Sequence, residues 1–252
     1  MVLTALRGAL GFLSRLPVGR DERSWEAFRR SPAAFPLAGY VVGALVAVPL
    51  ALPAPAPTVA ALFVVWVYFV TGVNHADGVA DLGDAVVVHG DVADRRAAMT
   101  DTTVGVGAVL ALGLVLLGTA LAGLALAGVA SAATPLAALG VVVAAEVGAK
   151  LGMAAVACLG TAAHEGLGSA LTAHADPRSL VAPGLVALPA AAATWPHPAA
   201  GVALAAAVAG ALCVRRWARD RLGGVSGDVF GASNELARVL GLHAGVIAWT
   251  HW

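Results

Sequence analysis

Val104–Gly128 reads VGVGAVLALGLVLLGTALAGLALAG, an unbroken run of 25 residues without a charge. About 20 such residues cross the hydrocarbon of a bilayer as a helix, so this stretch sets the solvent in which the chain folds. Further apolar segments lie at 34–52, 57–73, 134–160, 180–195, 199–214 and 236–250. Over the whole chain of 252 residues, 60% are hydrophobic and 12% charged. Soluble domains carry roughly 25% charged residues, so this chain has too few to cover a water-facing surface. The expected fold is a single all-α domain over residues 1–252. It is a polytopic integral membrane bundle of about seven transmembrane helices in the lipid bilayer.

The connections between segments sort into two sets. Charged ones are the N-terminal arm (Arg7, Arg15, Arg20, Arg23, Arg29, Arg30), residues 74–103 with Arg95, Arg96 and six aspartates, residues 161–179, and residues 215–235 with Arg215, Arg216, Arg219 and Arg221. Uncharged ones are 53–57, 129–133 and 196–198. Alternating sides from a cytoplasmic N-terminus puts every charged connection inside, as the positive-inside rule asks. This predicts seven spans in a cell membrane, with the C-terminus outside and the chemistry facing the cytoplasm. Net charge is zero, which removes the electrostatic case for nucleic acid. Cys158 and Cys213 stand in apolar runs and suggest neither a disulfide framework nor a zinc site. The Ala/Gly/Val richness suits close helix packing. Oligomeric state is left open, with a homo-oligomer allowed.

The chemistry concentrates in Asn74-His75-Ala76-Asp77-Gly78-Val79-Ala80-Asp81-Leu82-Gly83-Asp84. Asp77, Asp81 and Asp84 fall at i, i+4 and i+7, on one face of a helix, where like charges repel. A divalent cation relieves that repulsion, and carboxylate oxygens suit Mg²⁺, which also takes water and substrate phosphates. These three are the expected metal ligands, and the alternative is a solvated acidic face at the membrane edge. Arg95, Arg96 and Arg15 are candidate phosphate contacts, since guanidinium forks match phosphate oxygens. The alternatives are positive-inside anchoring and snorkelling. Asp101 either caps the following helix or completes the acidic site. Glu146 and Lys150 lie mid-span at i and i+4. They form either a structural ion pair or a cavity-facing pair in which Lys150 meets phosphate. Asp228 and Glu235 follow a Gly-rich stretch and are candidates for substrate or second-metal contact. His75 is a candidate hydrogen-bonding or proton-transfer group, with a plain helix-end histidine as the alternative.

The order of motifs resembles the cobalamin synthase (adenosylcobinamide-GDP ribazoletransferase) family over nearly the whole chain. Phe12-Leu13-Ser14-Arg15-Leu16-Pro17-Val18 is similar to the family's FLTRLPV-like opening, and Phe35-Pro36-Leu37-Ala38-Gly39 to its FPLVG element. Residues 75–84 resemble its H-x-D-G-x-A-D-x-x-D pattern, and Met99 with Asp101–Gly107 its M-x-D-S-R-x-G-x-x-G element. Glu165–Gly168 and Gly227–Ala232 complete the series. Thr103 departs from the usual basic residue, and Asn74 and Ala76 replace commoner apolar ones. The resemblance implies an Mg²⁺-dependent phosphotransferase joining adenosylcobinamide-GDP to α-ribazole or its 5′-phosphate, with release of GMP. It implies catalytic work for His75, Asp77, Asp81, Asp84 and Asp101. Two other classes are weighed. A CDP-alcohol phosphotransferase lacks support because its D-x-x-D-G-x-x-A-R arrangement is missing. A transporter would place its site near the midplane, whereas most charges here sit at one surface.

Overall fold

The computed structural model describes residues 1–19 and 21–252, so Arg20 of the basic N-terminal arm lies outside the described residues. Among the described residues the chain is helical, with one isolated bridge between Ala162 and Val225 and no strand. Twelve α-helices follow one another: α1 (Val2–Leu13), α2 (Glu22–Arg29), α3 (Ala34–Val46), α4 (Ala56–Thr71), α5 (Asn74–Val87) and α6 (Val92–Thr100) in the first half. The second half contributes α7 (Val106–Ala132), α8 (Pro135–Leu159), α9 (Leu167–Thr172), α10 (Val181–Ala191), α11 (Ala199–Leu222) and α12 (Gly227–His251).

Four stretches are long and apolar enough to cross a membrane: 34–51 (α3 with its following 3-10 turn), α7, α8 and α11. A fifth exists only if α4 and α5 are taken together, and these two are bent by 101° at their junction. Four or five stretches thus meet the length and composition of a span, and the expectation of seven is not confirmed by that measure. The reasons are local. Segment 180–195 yields only the 11 residues of α10, about 16 Å at 1.5 Å per residue, half a hydrocarbon core. Segment 57–73 ends at Gly72, whose φ of +78° breaks the helix before α5 turns off. Helix α12 is 25 residues long but carries Asp228, Glu235 and Arg238, and it runs along α8 and α11 with the last two side chains turned into protein.

The spans differ in what surrounds them. In α8, 89% of the most apolar window is buried inside the protein, against 28% in α7. Helix α8 is thus the axis of the bundle, wrapped by α3, α10, α11 and α12. Helix α7 offers Leu110, Leu114 and Leu117 outward, the face a lipid tail would cover. Helix α8 opens on Thr134 and Pro135, where the Thr134 side chain accepts the Ala137 N–H.

The charged connections meet at one end. Arg96 of α6 donates to the Leu222 carbonyl at the foot of α11. The Val225 N–H donates to the Thr161 carbonyl, tying the α11–α12 turn to the α8–α9 connection. Helix α5 lies across this end, packed on α12 and α7 rather than continuing α4. On the other side of the N-terminal region, α1 and α2 form a hairpin capped by Asp21, which accepts the Ser24 N–H at 2.8 Å.

Candidate active site

Two clusters of ionisable side chains are built where α5 crosses the start of α12. The crossing is close because Gly78 has no side chain. A Cβ there would come within 2.5 Å of the Asp228 carbonyl oxygen. That contact carries Asp228 to the acidic face of α5.

The first cluster is a rim of carboxylates. Asp77 is exposed, and Asp81, Asp84 and Asp228 are half-buried. Burial, reinforced by the neighbouring charges of Asp228, Asp77 and Asp84, pushes the Asp81 carboxyl up to about 6. Asp228 was a secondary candidate by sequence, and the fold gives it the same standing as the α5 aspartates. Asp84 has other work. Its two oxygens accept the Gly105 and Ala108 N–H groups, each at 2.9 Å, so it caps α7 from another helix. Asp101 neither caps α7 nor joins the rim. It is exposed, accepts the Thr103 N–H at 2.9 Å, and is held below the usual carboxylate range mainly by that bond. Among the described residues no three acidic, His or Cys side chains are already closed around a metal position. The rim is an open set of carboxylate oxygens.

The basic candidates divide. Arg15 is exposed, its stem lies against Gly72 at the head of α5, and its guanidinium has no partner among the described residues. Arg95 is buried and donates to the Ala85 carbonyl at 2.7 Å, closing the end of α5. Arg96 holds the Leu222 carbonyl with Nε at 2.9 Å and Nη2 at 2.6 Å. Two of the three arginines expected to grip phosphate, Arg95 and Arg96, are thereby engaged as braces on helix C-termini, where carbonyls lack intrahelical donors.

The second cluster is closed. Glu146 and Lys150 of α8 pair with each other, and Arg238 of α12 pairs with Glu146. Arg238 Nη1 also donates to Glu235 at 2.6 Å, and the Tyr68 hydroxyl donates to the same carboxylate at 3.2 Å. All four charged residues are at most 1% exposed. Two carboxylates face two cations, so the cluster is neutral as a whole. Lys150 is therefore placed in an internal ion network rather than beside the rim, and Glu235 stands with it rather than with Asp228. The Asn234 amide links this network to α5, donating to Glu235 at 3.0 Å and lying 3.1 Å from His75 Nδ1. His75 is buried at that junction, and one of its ring nitrogens is occupied.

Arg238 and Asn234 were not singled out by the sequence. Arg238 did leave a signal, a lone arginine near the start of an apolar segment, which in a membrane protein calls for a buried anionic partner. Asn234 left none.

A profile of the cobalamin-5-phosphate synthase family matches residues 5–246. The chain belongs to this family. Within the cobalamin-5-phosphate synthase family it is 58% identical to the adenosylcobinamide-GDP ribazoletransferase of Halorubrum lacusprofundi over the full length of both chains. It is 43% identical to that of Haloquadratum walsbyi, covering 99% of each. Identity is 31% to that of Methanococcoides burtonii, covering 98% of this chain and 93% of the relative. No solved structure matches.

Proposed function

We propose that the chain is an adenosylcobinamide-GDP ribazoletransferase, working at a cell membrane with its carboxylate rim on the cytoplasmic face. The activity is the one named for its relatives. The observation that carries the site assignment is the meeting of Asp77 and Asp81 with Asp228 at the α5–α12 crossing. A hydroxyl of α-ribazole or its 5′-phosphate attacks the cobinamide-side phosphorus of adenosylcobinamide-GDP. The new P–O bond gives adenosylcobalamin or its 5′-phosphate, the pyrophosphate bridge breaks, and GMP leaves.

The donor set fits Mg²⁺, which prefers oxygen ligands and is held by one or two carboxylates plus substrate phosphates rather than by a complete protein cage. Asp77, Asp81 and Asp228 would hold it, with Asp84 fixing α5 to α7 beside them. Bound there, Mg²⁺ supplies charge neutralisation for the diphosphate and the departing GMP. Arg15, free of other partners, orients the phosphates from the head of α5. The hydroxyl proton passes to a rim carboxylate. His75, occupied at Nδ1, holds α5 against α12. The closed network keeps α8 and α12 in register beneath the site. A cytoplasmic N-terminus agrees with the basic residues gathered at the rim end.

The test is direct. Purified protein, adenosylcobinamide-GDP, α-ribazole 5′-phosphate and Mg²⁺ should yield GMP and the cobamide, and chelation should stop the reaction. Asp81→Asn should insert into membranes and fail to turn over. Wild-type turnover by that variant would overturn the metal assignment. Release of CMP from a CDP-alcohol donor would indicate the other phosphotransferase class.

A further inference from the structure

We infer that the cavity between α1 and α2 seats the guanine base of the substrate's GDP half. The inference rests on the transferase reading above and adds to it a base-recognition subsite next to the aspartate rim.

The cavity has a volume of about 380 Å³ and opens between the α1–α2 hairpin and the first residue of α5. One wall is aromatic: Phe12 and Trp25 lie with ring centroids 5.6 Å apart and planes tilted by 52°. Such rings offer a face on which a planar base can lie. The rest of the lining is three glycines (Gly8, Gly11, Gly19) and four polar residues, and the polar ones are not equally free. Asp21 is spent, accepting the Ser24 N–H and hydroxyl and pairing with Arg7 at 3.0 Å. Glu22 and Asn74 line the same cavity, are exposed, and have no hydrogen-bond partner among the described residues.

A carboxylate and an amide that line one cavity, both without a partner among the described residues, select for a particular ligand edge. Guanine presents N1–H and its exocyclic amine side by side, two donors that a carboxylate accepts together. Its O6 accepts from the Asn74 amide. The benzimidazole of α-ribazole has no N–H and would leave Glu22 covered and unpaired, which is costly. Adenine presents a donor–acceptor edge that cannot satisfy a carboxylate twice.

The position agrees with the chemistry. Asn74 is three residues before Asp77 and seven before Asp81, about 5 and 10 Å along the α5 axis. Arg15 lies against Gly72, at the same end of α5 as Asn74. A nucleotide with its base over Trp25 therefore runs past Arg15 and brings its diphosphate to the rim.

Binding of the product separates this inference from turnover. Calorimetry on the full-length protein in detergent with Mg²⁺ compares GMP, IMP and AMP. GMP should bind about tenfold tighter than IMP, which lacks the amine, and tighter still than AMP. Glu22→Gln should cost about tenfold in GMP affinity and erase most of the GMP–IMP difference. It should raise KM for adenosylcobinamide-GDP and leave KM for α-ribazole 5′-phosphate unchanged. Trp25→Leu should weaken all three nucleotides alike. Equal binding of the three, no GMP binding, or a Glu22→Gln effect on the ribazole KM instead would overturn the subsite. If wild-type protein discriminates GMP but releases none from adenosylcobinamide-GDP, the transferase reading fails and the base pocket stands.

Discussion

Asp228 and Glu235 lie seven residues apart on α12, and they belong to charge clusters of opposite construction. Around Asp228, carboxylates gather half-open to water with no cation among them in the described residues, and burial together with these like charges pushes Asp81 up to about 6. Around Glu235, two acids and two bases are buried together and paired. An unbalanced cluster holds unfavourable energy until something positive arrives, whereas a balanced one needs no further charge, although Arg238 Nη2 and Asn234 Oδ1 stay without a hydrogen-bond partner among the described residues. The first has the properties of a site and the second those of a scaffold. Charge balance, more than burial or the presence of ionisable groups, distinguishes them.

Substitutions should separate the two. Arg238→Met leaves two buried carboxylates facing one lysine, and should destabilise the protein by about 3–5 kcal/mol. Adding Glu235→Gln restores neutrality and should recover a large part of that loss, read as thermal unfolding in micelles. A double variant no better than the single one would mean that the network is not held by charge balance. At the rim the outcome is inverted. Asp81→Asn should lower turnover on the order of 10³-fold, yet raise metal-free stability by about 1 kcal/mol, after discounting its raised pKa for the solvent that reaches it.

Gly78→Ala tests the crossing that joins both clusters. Its Cβ meets backbone rather than a movable side chain, so α5 and α12 must separate, at about 1–3 kcal/mol and with loss of turnover. The pH dependence follows from Asp81. Its folded pKa is raised, so its contribution to metal-free stability is complete below about pH 4 and is lost as pH rises through about 6. At the proposed site Mg²⁺ would compete with that proton, so higher Mg²⁺ should move the acid limb of activity to lower pH. A limb that ignores Mg²⁺ would remove Asp81 from the metal. The smallest effect is expected at Asp101, exposed and bonded to Thr103, where Asp101→Asn should stay within about threefold of wild-type turnover.

Run lengths and composition determined by themselves that this is an all-α membrane protein. The i, i+4, i+7 spacing of Asp77, Asp81 and Asp84 determined that one helical face is acidic, because both properties are local and periodic. The expected span count is larger than the number of helices long and apolar enough to cross on their own, because apolar content does not record a break at Gly72 or the shortness of α10. The fates of Arg95, Arg96, Lys150 and Asp84 were decided only in three dimensions. A charge does one thing beside a helix end with unpaired carbonyls or N–H groups, and another beside a substrate. Which neighbour it meets depends on chain segments up to 126 residues away, as from Arg96 to Leu222. The pairing of Glu146 with Arg238 is of the same kind, since spacing within one helix says nothing of which helix packs against it.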